Sequence, residues 1–255
     1  MKLYLENLIP RLKEFSLSLD KQEVFIDKPW VIIDEKNNKQ TYIFQRNGNL
    51  IMSLNGQVTV GKWEYISAAR SLLIDRIQDK ILLNQNFIDP AIMVLKMDGL
   101  KDENFILANV DLIPDLDIVN YLKELYYSKN NIKTKKLKSG GVLELKEYLD
   151  ETSVINKYIT EVKIEGEPVN DGKFEIEEFG RKYLIKDSFL IKTLVDYKYP
   201  TKMGDLVIEH GENLRPKKGD LVFQNNVKAP DGKYHIDFLE NIIVENGVII
   251  KMPLF

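Results

Sequence analysis

The sequence holds no cysteine and only two histidines, His210 and His235, in 255 residues. The missing cysteines exclude disulfides, thiol nucleophiles and thiolate-ligated zinc or iron–sulfur centres. Two histidines are too few for a metal site built on several imidazoles. Neither sign of charge predominates: 36 Lys and Arg stand against 39 Asp and Glu, a formal net charge of −3. That balance gives no basic footprint for nucleic acid. No run approaches the roughly 18 apolar residues of a membrane span. Glu6, Asn7, Pro10, Arg11, Lys13 and Glu14 interrupt the opening stretch, so it lacks the continuous apolar core of a secretory signal. The expectation is a cytoplasmic bacterial protein with neither a membrane nor a nucleic acid as partner.

Catalytic and cofactor motifs are missing as well. Gly61-Lys62 is followed by Trp63, where a phosphate-binding loop would carry the Ser or Thr that holds magnesium. There is no glycine-rich dinucleotide turn, no Gly-x-Ser-x-Gly elbow and no Asp-x-Asp-x-Asp-Gly calcium loop. No catalytic residue, cofactor or metal is therefore assigned. His210 falls at a strand end beside Gly211, and His235 replaces Glu175 in a related segment, which marks a tolerant, solvent-facing position. Asp75, Asp79, Asp89 and Asp98 fall at strand ends and turns, where a carboxylate accepts nearby backbone N–H groups. Glu175, Glu177 and Glu178 read as a solvated strand face.

The content that remains, 44% apolar and 29% charged, is that of a globular chain. Leu5, Leu8, Ile9 and Leu12 share one helical face and predict a helix near 7–16, with Asn7 as N-cap and Pro10 in the first turn. Strand signals follow. Asn47-Gly48 and Asn55-Gly56 are the favoured pairs for two-residue hairpin turns, and they bracket a strand with Leu50, Met52 and Leu54 on one face. Thr41–Phe44 and Gln57–Val60 flank it, and the pattern continues through Trp63–Ile66, Ser71–Asp75, Lys80–Phe87, Ala91–Met97 and Phe105–Ala108. The whole predicts an antiparallel meander of roughly six to eight strands. A second helix is expected near 115–127, from Ile118, Tyr121, Leu122 and Leu125 on one face and Asp115 and Asp117 at its positive end.

This first domain, 1–130, is followed by a linker at 131–141. Lys133, Lys135, Lys136 and Lys138, after Lys129, lead to Ser139-Gly140-Gly141 there. The remainder, 142–255, contains a repeat. Asp171-Gly172-Lys173-Phe174 matches Asp231-Gly232-Lys233-Tyr234 at an offset of 60, and Ile185–Lys192 falls on Val244–Lys251 at an offset of 59. Two β-rich units, 142–195 and 204–255, each hold an Asp-Gly turn, two strands, a tight turn and a third strand. The tail from Met252 to Phe255 is apolar and is expected to tuck against the sheet. The fold class is thus α+β and mostly β. A strongly curved sheet or partial barrel with two flanking helices comes first, and a β domain built from a duplicated three-stranded unit follows.

Gly61-Lys62-Trp63 resembles the Gly-x-Trp signature of the lipocalin and calycin families, whose tryptophan closes one end of a barrel. The resemblance implies a carrier of a small apolar ligand, held in a hollow beneath Trp63. A carboxylate-based hydrolase, with two acids facing each other across a cleft, is another alternative. The leading expectation is a non-enzymatic module that binds, and blocks, a protein partner, as a bacterial immunity or accessory protein does. Contact is expected through a sheet edge or the loops at 197–201 and 213–219. The candidate binding residues are Tyr197, Tyr199, Arg215, Lys217 and Lys218, with Tyr126 and Tyr127 of the second helix.

Overall fold

The computed structural model describes residues 2–33, 39–99, 104–150, 157–178, 180–237 and 240–252. The chain divides into two compact units, Met1–Lys129 and Asn130–Phe255. Unit 1 opens with helix α1 (Lys2–Leu12). Eight strands follow: β1 (Trp30–Ile33), β2 (Lys39–Phe44), β3 (Asn49–Leu54), β4 (Gln57–Ile66), β5 (Ser71–Asp75), β6 (Lys80–Ile88), β7 (Ile92–Met97) and β8 (Asn104–Asn109). Each pairs antiparallel with the next. Trp30 opposite Asn109 and Val31 opposite Ala108 join β1 to β8 and close the meander into a barrel. Helix α2 (Ile118–Lys129) completes the unit. No helix among the described residues is long and apolar enough to cross a membrane.

Strand alternation sorts the side chains into two cores. Tyr42, Phe44, Leu50, Met52, Leu72, Ile74, Leu83, Leu95 and Leu107 point inward, and an eight-stranded barrel is just wide enough for such side chains to fill. Outward residues of β1, β7 and β8, among them Val31, Ile92, Val94 and Ala108, bury Leu8, Ile9 and Leu12 of α1 and Ile118 and Leu122 of α2. A segment between α1 and β1 covers one end of the barrel. Its Phe25 sits edge-on to Phe44 and Trp63, at centroid distances of 5.5 and 5.4 Å. Trp30 donates its Nε1–H to the Phe25 carbonyl at 2.8 Å, and Trp63 donates to Gln45 at 2.9 Å.

Four local expectations are corrected. The first helix begins at Lys2, so Asn7 lies inside it, and the side chain of Leu5 is outside the described set. Pro10 sits near the C-terminal end, where the chain soon tightens into a 3₁₀ turn at Lys13–Phe15. The second helix begins at Ile118, because Asp117 accepts the Asn120 N–H at 3.0 Å and so serves as the N-cap. Asn47-Gly48 does not form a two-residue turn. Only Gly48 has positive φ, and it closes a longer loop through its N–H to Gln45 O at 3.0 Å. Asn55-Gly56, with φ of 51° and 80°, does form the two-residue turn. Gln57–Val60 and Trp63–Ile66 are one continuous strand, and Trp30–Ile33 is a strand that the reading of the sequence passed over.

Unit 2 is one extensive antiparallel sheet. Its strands are β9 (Ile132–Lys136), β10 (Val142–Asp150), β11 (Lys157–Ile164), β12 (Glu167–Pro168), β13 (Gly172–Glu175), β14 (Lys182–Lys186), β15 (Phe189–Tyr199), β16 (Leu206–Gly211), β17 (Leu221–Gln224), β18 (Val227–Lys228), β19 (Gly232–Asp237), β20 (Glu240–Glu245) and β21 (Val248–Lys251). The segment read as a linker is in part strand: β9 pairs with β10 over Ile132–Lys136. Backbone donors and acceptors there are taken up by the ladder, and Lys133, Lys135 and Lys138 pair with Glu147, Glu178 and Glu175.

The duplication holds at the level of individual bonds. Asp187-Ser188 and Asn246-Gly247 both form turns with two consecutive positive φ values. Asp171 accepts the Asp187 N–H at 2.7 Å, and Asp231 accepts the Asn246 N–H at the same distance. The Val162 N–H meets Ser188 O at 2.8 Å, and the Val222 N–H meets Gly247 O at 2.8 Å. The cores correspond too: Leu143, Leu145, Val162, Val169, Ile176 and Ile185 match Leu206, Ile208, Val222, Ala229, Ile236 and Val244. The Asp-Gly pairs do not turn the chain. Gly172 and Gly232 begin strands, and each aspartate clamps the distant tight turn. Met252 packs on the second core, and 253–255 lie outside the described residues.

Gly61 of β4 is closely enclosed by its neighbours. A Cβ there would lie 2.2 Å from the Asp75 carbonyl oxygen and 3.1 Å from Met52 Cε. Gly61→Ala is expected to lower stability by roughly 1–3 kcal/mol through overpacking, seen as a lower urea midpoint with an unchanged m-value.

Candidate functional site

The predicted binding residues fall in both units. In unit 2, β15 carries Tyr197 and Tyr199 on one face, beside His210 of β16. The Tyr197 ring stacks on the imidazole at 4.3 Å between centroids. His210 is buried; its Nδ1 contacts Gly211 O at 3.1 Å and its Nε2 contacts Tyr199 Oη at 2.9 Å. A carbonyl can only accept, so Nδ1 carries the proton and the Tyr199 hydroxyl donates to Nε2. The imidazole is thereby satisfied on both sides as a packed structural group.

The same cluster positions the loop from Gly211 to Asp220. Tyr197 Oη accepts the Asn213 N–H at 3.1 Å, which pins the start of the loop. Buried Asp220 accepts the Lys217 N–H at 2.7 Å and pins its end. Arg215 in the middle pairs with Glu240 at 2.7 Å. Lys217 and Lys218 are exposed, and so is Leu214, which sequence reasoning did not single out. Tyr126 and Tyr127 belong to unit 1, where their rings meet at 6.2 Å and Lys123 lies over Tyr127. Tyr127 is buried, so its ring serves the packing of α2.

A charged cluster lies on the opposite face of β15 and β16, where the two repeat copies meet. Glu209 is only 4% exposed and receives Lys173 and Lys182, the latter at 2.8 Å. Lys182 also pairs with Asp196 at 2.7 Å. Arg181 donates to Glu212 at 2.8 Å, and Lys192 reaches Asp220 at 3.5 Å. Apart from the Lys182–Asp196 pair, cations of the first copy here meet acids of the second, a complementarity absent from the aligned cores. Burial alone would raise the Glu209 carboxyl, but Lys173 and Lys182 outweigh it and hold the group below its ordinary value of 4.5. Burial likewise opposes the charge on Lys182, and Asp196 and Glu209 overcome it and raise its value.

The four aspartates singled out in the meander are engaged. Asp75 accepts the Ile77 N–H and pairs with Lys80, Asp79 pairs with Arg76, and Asp98 accepts from Asn84. Asp89 accepts the turn N–H groups of Ala91 and Ile92 as expected, and it is also buried and receives the Tyr121 hydroxyl at 2.6 Å. Burial, then Asp89 itself, hold the Tyr121 phenol protonated well above its usual range. This bond ties α2 to the barrel. No group of three or more His, Asp or Glu able to hold a metal occurs among the described residues.

A carrier would need space beneath Trp63, yet Phe25, Trp30, Tyr42, Phe44, Leu50, Leu72 and Leu83 expose no surface that water could touch. Those side chains therefore line no hollow. A cleft of about 620 Å³ lies between residues 13–20, the β4–β5 turn and β6. The bulge that forms one wall, between Gln85 and Phe87, has a sequence signal: the inward alternation Ile81, Leu83 meets polar Gln85 and resumes out of phase at Ile88.

Two measurements test these assignments. Stability from Glu209 is complete above its unfolded value near 4.5 and is lost as pH falls through the lower folded value. Glu209→Gln should cost roughly 1.5–3 kcal/mol at neutral pH by removing the charged acceptor of Lys173 and Lys182, and should flatten the acid limb of the stability profile. Tyr121→Phe should cost about 1.5–3 kcal/mol and speed hydrogen exchange in α2. Comparison of the chain with protein-family models, curated proteins and solved structures finds no match in any of the three.

Proposed function

We propose that this protein is a non-enzymatic protein-binding module and that it meets its partner through the loop from Gly211 to Asp220. The observation that carries this reading is Leu214, 58% exposed on a loop pinned at both ends. A large apolar side chain held in water by a rigid support gains free energy when a partner covers it, and little ordering entropy opposes the contact. Arg215, Lys217 and Lys218 surround it and favour a partner with an apolar socket rimmed by acids. The filled barrel and the engagement of Asp75, Asp79, Asp89 and Asp98 support binding over transport or hydrolysis.

The test is affinity isolation of the tagged chain from its native cells, followed by quantitative binding to the recovered protein. A stoichiometric partner is expected. The pair Leu214→Asp with Lys217→Glu should weaken the complex at least about tenfold, as removal of a central contact does, with an unchanged melting temperature. Repeated recovery of a solitary chain, or undiminished binding by the double variant, overturns the reading.

A further inference from the structure

The cleft of unit 1 is built from segments far apart in sequence. Its walls are fixed without any ligand. Gln85 donates to Leu17 O at 2.6 Å and accepts the Leu19 N–H at 3.0 Å, and Ser16 Oγ accepts the Ile88 N–H at 2.9 Å. These bonds lock the 16–19 segment against the β6 bulge, so the shape of the cleft is pre-organised.

Other groups that line it are unengaged. The side chains of Lys13, Ser18, Asp20, Tyr65, Arg70 and Asn86 line the cleft, and none of them makes a side-chain hydrogen bond or ion pair among the described residues. By contrast, Arg76 and Lys80 of the β5–β6 hairpin pair with Asp79 and Asp75. Arg70 occupies a left-handed backbone position, φ of 52°, at the β4–β5 turn. Glycine or asparagine ordinarily fills such a site, so the guanidinium is brought to the cleft against local preference. Asn86 is the residue that the bulge leaves without a ladder partner.

The donor and acceptor inventory defines the ligand. Lys13 and Arg70 can only donate, and they call for an anionic acceptor. Asp20 can only accept, so the same ligand must also bring donors. The hydroxyls of Ser18 and Tyr65 and the amide of Asn86 do both, which suits hydroxyl groups, while the Tyr65 ring offers a flat apolar face. The volume of about 620 Å³ is that of a small-molecule site. We propose that this cleft binds a small hydroxyl-bearing carboxylate of the sugar-acid class, with Arg70 and Lys13 on the carboxylate and Asp20 and Asn86 on the hydroxyls. The site lies in unit 1 and is separate from the loop of unit 2.

The experiment is a titration of the ¹⁵N-labelled full chain with D-glucuronate, with D-glucose and acetate as comparison ligands. Saturable amide shifts are expected at residues 16–20, 69–71 and 84–87, with glucuronate binding more tightly than either comparison ligand. Arg70→Gln should weaken glucuronate at least about tenfold, the loss of one charge-assisted hydrogen bond. Lys186→Gln, at an exposed position of unit 2, should leave it unchanged, and far-UV circular dichroism checks that each variant is folded. Equal binding of acetate would reduce the site to a patch of cations, and equal binding of glucose would remove the role of the charges. Either result, an absence of saturable shifts, or full affinity in folded Arg70→Gln overturns the proposal.

Discussion

Both units depend on one constraint of the backbone: a two-residue type I′ reversal between antiparallel strands requires positive φ at two successive positions. The chain meets it at Asn55-Gly56 in the barrel, and at Glu165-Gly166, Asp187-Ser188, Asn225-Asn226 and Asn246-Gly247 in the second unit. Each such turn fixes the register of its hairpin. Because strand side chains alternate, register decides which set points inward. A slip of one residue at Asn55-Gly56 would turn Leu50 and Met52 toward solvent and bring Ile51 and Ser53 inside. In the second unit the tightest turns carry a further lock, since Asp171 and Asp231 each hold the first N–H of a turn on another hairpin. The aspartates thus do locally what the hydrophobic pattern does over a whole strand.

The two units solve the problem of exposed strand edges differently. Closure through Trp30 and Asn109 removes them from the barrel. The second sheet stays open and ends on β9 and β19 along its main path. Lysines populate β9, and a lysine-bearing edge disfavours further strand addition. The partner is therefore sought at a loop and not at this edge. Between the copies, the ion pairs around Glu209 specify how one copy sits on the next. Their net contribution to stability is small once desolvation is counted. Mispairing the copies would instead leave Glu209 buried without its lysines, which is a large penalty.

Most of the fold was legible in the residues, and most of the candidate sites were not. Alternation at Leu50, Met52 and Leu54, the paired Asn-Gly signals and the Asp-Gly-Lys repeat identified the meander and the duplication. The boundaries went astray where a single side chain decides them, as at Asp117, or where strand and linker share a polar composition, as at Ile132–Lys136. The cleft was hidden because Lys13, Arg70 and Asn86 are unremarkable singly, and only the pairing of β4, β5 and β6 brings them together. Leu214 was passed over because its exposure follows from hydrogen bonds at Asn213 and Asp220 that no local pattern announces.

By itself the sequence determined the fold class, the existence of two copies and the absence of thiol and multi-histidine chemistry, since these rest on periodicity, turn chemistry and composition, which are local properties. Tertiary structure alone decided that the sheet closes, that the barrel interior is filled beneath Trp63, and that Asp89 is a buried anchor for Tyr121. It also decided which cations stay unmatched. All of these depend on contacts between residues distant in the chain, where space and charge balance are set by packing.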